Sequence, residues 1–427
     1  MREKLASRLG FLMLAAGCAV GLGNVWRFPF VVGQNGGAAF VLVYLAFLAL
    51  FGFPILLAEL AVGRGGGSGI VGSFRALGGK VWGRIGFVIF AGNLLLMIYY
   101  TDVAGWLLAF AGSYAFSGAP PEFAALVADR RTCLVFMLVS VAVASCVCAV
   151  GVRRGVERVT KWMMLALLVI MGVLAAKALA LDGAAKGLSF YLRPDWTPLV
   201  EHPGRVVFDA MGQAFFTLSI GVGAMTIFGS YIQRRESLVK ESAFIIAIDT
   251  FVAFTAGLVI FPACATYGVD VTCGPGLIFS ALPKAFAAMA GGSVWGFFFF
   301  LFLSLAALTT VVAVFECLVG GLVDELGIGR RTAAAAVGCA VAALSLPCVF
   351  VDGALEIEDF VFSKFWLPLG GLALSIFVSW RIGWGWEAFR AEASAGRGAA
   401  LPDWFRPVFR YVVPAIIVVI VAGGLAI

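Results

Sequence analysis

The sequence has little charge and almost no histidine. Only 13% of its 427 residues are Asp, Glu, Lys or Arg, and His202 is the single histidine. Because His202 precedes Pro203 in a polar stretch, we expect a solvated loop residue, and no proton relay can rest on it. The sequence also shows no Ser/His/Asp set, phosphate-binding loop or cluster with metal-ligand spacing, so we predict that the chain is not an enzyme.

Apolar residues are in large excess. They make up 62% of the chain, and its mean hydropathy is +1.03. A soluble protein of this size cannot bury so many apolar side chains, so the composition predicts a polytopic protein in contact with membrane lipid. The formal net charge of +6 comes from basic residues in short loops between apolar segments, which favours a role in orientation over nucleic-acid binding.

The apolar segments are long enough to form eleven membrane-spanning helices, since a helix needs about 20 apolar residues to cross the hydrocarbon core. The predicted spans are 9–32, 38–63, 82–112, 131–150, 157–180, 206–232, 239–266, 292–323, 331–350, 356–381 and 408–426. Lys and Arg are concentrated at the N-terminus and in every second loop after it. Because positively charged loops stay in the cytoplasm, we predict a cytoplasmic N-terminus and, with eleven spans, a C-terminus outside.

Two of the predicted spans contain residues that a lipid-embedded helix avoids. Residues 15–29 combine three glycines with Asn24 and Arg27, and residues 217–224 contain two further glycines. Broken backbone at membrane depth is tolerated only where it is buried in protein or lines a cavity, and carbonyls freed from a helix are natural sodium ligands. The breaks lie five spans apart, which predicts an all-α fold with inverted repeats at 1–180 and 206–381 and an extra helix at 404–427.

A series of motifs in chain order resembles that of one transporter family. The motifs are Arg8–Phe11, Gly17–Pro29, Asn35–Gly37 with Phe40, Pro54 with Glu59, Gly63–Arg64, Tyr99–Tyr100, Gln213–Ser219, Asp249–Thr250, Ala256–Gly257, Ala306–Thr310, Asp324–Glu325 and Asp359–Phe360. The chain is thus similar to the bacterial branch of the neurotransmitter:sodium symporters. The resemblance implies a LeuT-like fold of five plus five inverted helices, with helices 1 and 6 discontinuous and an eleventh helix added. It also implies sodium-coupled import of a neutral, hydrophobic or aromatic L-amino acid by alternating access in the bacterial inner membrane.

The resemblance assigns oxygen atoms around the two breaks to two sodium ions, since hard cations take about five or six such ligands. The first ion would be held by the Ala19 carbonyl, Asn24, Thr217, Asp249 and the substrate carboxylate, and the second by the carbonyls of Gly17, Val20 and Ala306 with Thr309 and Thr310. Without the breaks, the two threonines would be interpreted as back-bonding to helical carbonyls.

Asp249 is expected to remove the need for chloride. A carboxylate within an apolar helix is costly and indicates function. Chloride-dependent members of the family have Asn at this position and Ser four residues later, whereas this chain has Asp249 and Ala253. We therefore predict that Asp249 supplies the negative charge that chloride provides elsewhere, and that transport is independent of chloride.

The resemblance places the substrate between the breaks. The implied binding residues are Ala19, Gly21, Leu22, Gly23, Leu96, Tyr100, Phe216, Thr217, Ser219, Val222, Thr310 and Val314. Backbone amides near Leu22, with the Tyr100 hydroxyl, would hold the carboxylate, because helix N-termini attract anions. Carbonyls near Phe216 would hold the ammonium. Amine-transporting relatives carry Asp in place of Gly21, so Gly21 favours an amino acid, and the uncharged pocket favours a neutral one.

Two ion pairs are expected to open and close the site. The implied gate residues are Arg27 with Asp359 on the outer side, and Arg2 with Asp324, supported by Tyr231, on the inner side. An exposed pair contributes about 0–1 kcal/mol, which suits a contact that must open. The alternative for Arg27 is snorkelling to the membrane surface. Glu59 is expected to hydrogen-bond the broken backbone of the sixth span.

The chain departs from the family pattern at two positions that leave alternatives open. Many relatives have Pro ten residues after the glycine at 155, where this chain has Leu165, and Trp in place of Leu5. A non-transporting sodium-dependent receptor is one alternative, which Leu165 favours. A proton-coupled carrier of the same superfold is another, against which the Thr309–Thr310 pair argues. Cys264 and Cys273 could pair outside the membrane, and the sequence leaves the oligomeric state and the particular amino acid open.

Overall fold

The fold was analysed in a computed structural model that describes residue 5, residues 7–272 and residues 276–426. Within these residues, nine helices are long and apolar enough to cross a membrane, and one bent pair of helices makes a tenth span. A further pair of shorter helices occupies the predicted sixth span. In chain order they are span 1, Arg8–Ala19 with Gly23–Gln34; span 2, Ala38–Gly66; span 3, Lys80–Ser117; span 4, Arg130–Val150; span 5, Val152–Leu179; span 6, Pro203–Thr217 with Ala224–Gly229; span 7, Leu238–Tyr267; span 8, Gly292–Leu326; span 9, Arg330–Phe350; span 10, Ala354–Ser379; and span 11, Phe405–Gly423.

Among the described residues, these helices and helix pairs match the eleven predicted spans to within five residues at each end. The largest differences are in span 3, which continues to Ser117, and in span 5, which begins at Val152. Span 3 has 38 residues and is about 57 Å long at 1.5 Å per residue, so it extends well beyond the hydrocarbon core. Residues 152–157 include two arginines that hydropathy alone excludes from a span, but they form a π-helical turn continuous with span 5.

Span 8 lies at the centre of the helix bundle. It packs against spans 3, 4 and 5 and against the first half of span 1, and residues 306–321 are buried without exception. Span 7 packs against both halves of span 1, and span 2 packs against both halves of span 6. The two interrupted spans are therefore enclosed by continuous helices, which is the condition for broken backbone at membrane depth.

The break in span 1 is shorter than the sequence predicts. The first helix ends at Ala19, the backbone is extended at Val20, and a new helix begins at Gly23 after Leu22 has returned to helical dihedral angles, with a bend of 55°. The glycines predict a break from Gly17 to Gly23, but Gly17 belongs to the helix. Its carbonyl is nevertheless among those released at the end of the helix, because the last four carbonyls of a helix have no partner within it.

The break in span 6 is built from left-handed backbone. The first helix ends at Thr217 and the second begins at Ala224. Between them Ser219, Gly221 and Gly223 have φ angles of 49°, 97° and 70°. A Cβ atom at Gly221 would overlap the Leu367 carbonyl of span 10, so both the φ angle and the close packing require glycine there.

Candidate functional site

Glu59 of span 2 forms hydrogen bonds with backbone amides of the break in span 6. Its carboxylate is fully buried and accepts hydrogen bonds from Gly221 N at 2.6 Å and Met225 N at 3.0 Å. These amides have no helical partner because the ladder is interrupted between residues 218 and 223. Glu59 therefore stabilises the broken backbone, as the sequence analysis predicted.

Three of the residues predicted to bind the first sodium ion meet in the structure. Asn24 Nδ2 donates to Asp249 Oδ1 at 2.8 Å, and Thr217 Oγ1 donates to Asp249 Oδ2 at 3.1 Å. Asn24 also accepts a hydrogen bond from Gly21 N at 3.1 Å, which holds its side chain against the break. All three polar side chains are fully buried. At this point beside the two breaks, span 6 contributes a hydroxyl oxygen and span 7 a carboxylate, while the amide oxygen of Asn24 in span 1 accepts from Gly21 N.

The residues predicted to bind the second ion also lie together. Thr310 Oγ1 is within 3.3 Å of the Gly17 carbonyl, 3.2 Å of the Val20 carbonyl and 3.4 Å of the Ala306 carbonyl. Thr309 Oγ1 donates to the Ala306 carbonyl at 2.8 Å. Five oxygen atoms from spans 1 and 8 are therefore concentrated on the inner side of the first break, and such hard oxygens suit a hard cation.

A small cavity of about 10 Å³ lies between the breaks. Eight of the twelve predicted substrate residues line it, namely Ala19, Gly21, Leu22, Gly23, Leu96, Tyr100, Phe216 and Ser219. The Tyr100 hydroxyl accepts a hydrogen bond from Leu22 N at 3.1 Å. This volume is close to the minimum for one water molecule, so an amino acid enters only when the walls move apart.

Four predicted substrate residues do not line this cavity, and two unpredicted residues do. Thr217 and Thr310 make the polar contacts described above, while Val222 and Val314 are fully buried elsewhere. A Cβ atom built on Gly92 would lie 3.3 Å from Val222 Cγ1, so Val222 packs against span 3. Span 10 supplies the unpredicted walls, Phe362 and Leu367. Val222 and Val314 do not line this cavity, and their assignment to the substrate pocket stays a prediction.

A larger cavity of about 240 Å³ lies next to Tyr100 and Phe216. Both residues line this cavity as well as the small one, so their rings separate the two spaces. Arg27 and Asp359, the predicted outer gate, also line it. Among the described residues they form no ion pair with each other: Arg27 packs over the Phe216 ring at 4.7 Å, and Asp359 accepts from Ser363 Oγ at 2.8 Å.

A network of hydrogen bonds and an ion pair lies at the end of the site where the inner gate was predicted. Tyr231 OH donates to Glu316 at 2.7 Å, and the Arg330 guanidinium forms an ion pair with the same carboxylate. Asp324 accepts a hydrogen bond from Gly69 N at 3.1 Å. Arg2, the predicted partner of Asp324, lies outside the described residues, as does Cys273, the predicted partner of Cys264.

Two buried amide side chains at the breaks were not assigned a role from the sequence. Gln213 Nε2 of span 6 donates to the Gly23 carbonyl at 2.8 Å, joining the two interrupted spans. Asn93 Nδ2 of span 3 donates to the Val222 carbonyl at 2.7 Å. Both lie in predicted apolar spans, and a polar side chain in such a position is the signal that identifies them.

Two interrupted spans that pack against each other inside a polytopic helical protein are typical of a secondary membrane transporter. The model of the Sodium:neurotransmitter symporter family matches residues 2–119 and 128–426. The chain belongs to this family. Its activity is sodium-coupled transport across a membrane, and its family consists of transporters rather than enzymes.

Individual relatives agree with this assignment. An uncharacterized sodium-dependent transporter of Bacillus subtilis, YhdH, is 31% identical over 97% of this chain and 96% of its own length. The sodium-dependent serotonin transporter of Drosophila melanogaster is 30% identical over 77% of this chain and 61% of its own length. The crystal structure of MhsT in complex with L-phenylalanine is similar with a TM-score of 0.87 and 35% identity, covering 99% of this chain and all of that one. The predicted bacterial family and LeuT-like fold are confirmed.

Proposed function

We propose that this chain imports a neutral, hydrophobic or aromatic L-amino acid together with two sodium ions, without chloride, by alternating access. The observation that carries the proposal is the meeting of Asn24, Thr217 and Asp249 beside the Leu22 amide and the Tyr100 hydroxyl. An ion among the first three would lie next to a carboxylate held by the last two. The substrate carboxylate would then be a ligand of the ion, so that each of the two increases the protein's affinity for the other. This reciprocal effect is the basis of coupling.

The amino-acid class rests on three properties of the cavity. A Cβ atom at Gly21 would lie 2.5 Å from the Tyr100 hydroxyl and 2.7 Å from Thr310 Oγ1, so this position has no space for an acidic side chain. The substrate must therefore bring its own carboxylate. The remaining walls, including Leu96, Phe216 and Phe362, are apolar and offer no counter-ion to a charged side chain. The related MhsT was crystallised with L-phenylalanine, which supports the same class here.

Two sodium ions are proposed because two separate groups of oxygen atoms adjoin the first break. One is centred on Asp249 and the other on Thr310. Each positive charge moved inward gains about 2.3 kcal/mol per 100 mV, so two ions with a zwitterion would gain about 4.6 kcal/mol. Uptake should therefore increase when the membrane is made negative inside.

Independence from chloride rests on the buried carboxylate. Asp249 is fully buried, and the residue one turn later is Ala253, which has no hydroxyl to hold an anion. A fixed charge at Asp249 next to the first ion makes a diffusible anion unnecessary. We further propose that the repeats comprise residues 1–180 and 206–381 with an extra helix at 404–427, and that the N-terminus is cytoplasmic and the C-terminus outside in a bacterial inner membrane.

Uptake into proteoliposomes tests the proposal. We expect accumulation of one or more of Trp, Phe, Tyr, Leu and Met that requires an inward sodium gradient and persists when chloride is replaced by gluconate. Loss of uptake in gluconate would contradict the role of Asp249. Sodium-dependent binding without uptake or counterflow would instead identify a receptor, and uptake driven by a proton gradient in sodium-free buffer would identify a proton-coupled carrier.

A further inference from the structure

A second large cavity lies at the start of span 3. Its volume is about 610 Å³, within the range of about 300–1,000 Å³ that small-molecule pockets occupy. It is formed by the helix Ile70–Gly78, the first turns of span 3 and the last turns of span 8. We call it the basic cleft, because Arg75, Lys80 and Arg84 line it.

The basic cleft has an excess of positive charge. Its lining contains three cations but one carboxylate, Glu325, which pairs with Arg75 at 2.6 Å. Within the described part of the chain, Lys80 and Arg84 form no ion pair. They are one helical turn apart at the start of span 3, so both point into the same cleft.

Glycine brings the third cation close to the other two. Gly83 lies between Lys80 and Arg84, and a Cβ atom there would lie 3.0 Å from Arg75 Cβ and 3.2 Å from Arg75 Nε. Arg75 therefore lies directly along the surface of span 3. The three cations are gathered at one level of the helix by this close contact.

An apolar surface begins next to the cations. Phe87 follows Lys80 by seven residues, about 10 Å further along the helix axis, and its side chain is 63% exposed. Leu322 and Leu326 of span 8 form the facing wall, and Leu326 is 65% exposed. Along the axis of span 3, the cleft therefore has positively charged side chains at the start of the helix, and apolar side chains follow about two turns later. Both parts lie on the surface of membrane-spanning helices.

We propose that the basic cleft binds one anionic phospholipid, with its phosphate at Lys80 and Arg84 and an acyl chain along Phe87 and Leu322. Basic pockets between membrane-spanning helices are suited to acidic head groups. A free phosphate ion would leave the apolar walls in water, and a lipid of zero net charge would leave the excess positive charge uncompensated. Only an anionic lipid matches both levels of the cleft.

Native mass spectrometry of the full-length protein in detergent tests the proposal. The probes are phosphatidylglycerol and phosphatidylcholine with identical acyl chains. We expect preferential retention of phosphatidylglycerol, and binding weakened by about 25-fold in the double variant Lys80→Gln/Arg84→Gln, since each basic group near an anionic head group contributes about fivefold. The matched control is Arg153→Gln/Arg154→Gln, which removes two exposed charges from the first turn of span 5 and should leave retention unchanged.

A further variant and probe separate a lipid site from a simple anion site. Phe87→Ser should weaken phosphatidylglycerol binding without changing the effect of inorganic phosphate on thermal unfolding. The proposal is overturned if both lipids are retained equally, if both double variants lose the same amount of lipid, or if inorganic phosphate alone displaces phosphatidylglycerol completely. Thermal unfolding of each variant with saturating sodium establishes that the protein tested is folded.

Discussion

Replacing Glu59 by Gln should disrupt the site without touching any group predicted to contact ions or substrate. Each carboxylate oxygen accepts one backbone N–H, from Gly221 at 2.6 Å and from Met225 at 3.0 Å. Gln has one acceptor oxygen, and its amide group would direct hydrogens at the other backbone donor. One buried N–H of the break is then left without an acceptor, and the remaining hydrogen bond loses its assistance from charge.

The expected cost follows from these two contacts. A hydrogen bond to a charged group contributes about 1.5–3 kcal/mol, and a buried donor left unsatisfied costs about 1–3 kcal/mol. Together they amount to about 3 kcal/mol or more, which is large beside a total folding stability of about 5–15 kcal/mol. Because the break in span 6 forms one wall of the cavity, we expect weaker sodium-dependent substrate binding, by about 100-fold, and a lower Tm.

Binding and unfolding measurements on the same samples check this expectation. Substrate affinity is measured by scintillation proximity with saturating sodium, and Tm with sodium alone. Glu201→Gln, which changes an exposed residue, is the control and should match the original protein. If Glu59→Gln binds substrate within about threefold of the original protein, the carboxylate does not hold the break and the reasoning fails.

Other substitutions address the ion and gate residues. Asp249→Asn keeps the side-chain shape but removes a buried charge, so the sodium concentration for half-maximal substrate binding should rise by about tenfold or more, measured by titration at fixed substrate. Thr309→Val keeps the shape and removes a hydroxyl oxygen beside the Ala306 carbonyl, so the same titration should shift in the same direction, and Thr309→Ser should restore it. Arg27→Gln should slow uptake while equilibrium affinity changes by about fivefold or less, because an exposed ion pair contributes about 0–1 kcal/mol; an equal loss in both measurements would contradict a gating role.

The breaks themselves could be predicted because they violate a simple rule. Glycines beside Asn24 and Arg27 in an apolar segment are incompatible with a helix in lipid, and the structure has a 55° bend there. The walls of the cavity were harder to predict. Side chains in regular helices follow a period of 3.6 residues, but no such period applies at Val222 within a break. Phe362 was missed for a different reason, since nothing local in span 10 indicates that it faces the breaks.

The free amides of the break in span 6 and the free carbonyls of the break in span 1 are hydrogen-bonded in physically different ways. The amides of span 6 have a dedicated acceptor in Glu59, at 2.6 and 3.0 Å. The carbonyls of Gly17 and Val20 share one donor, the Thr310 hydroxyl, at 3.3 and 3.2 Å. A hydroxyl has a single proton and cannot donate fully to both, and O–H···O bonds are usually about 2.7–2.8 Å. The amides of span 6 are therefore held in place by full hydrogen bonds, whereas the carbonyls of Gly17 and Val20 in span 1 have only weak ones. A cation that binds there would be coordinated by these carbonyls and would break only weak hydrogen bonds. The Thr310 hydroxyl can rotate so that its proton points away and its lone pairs face the cation.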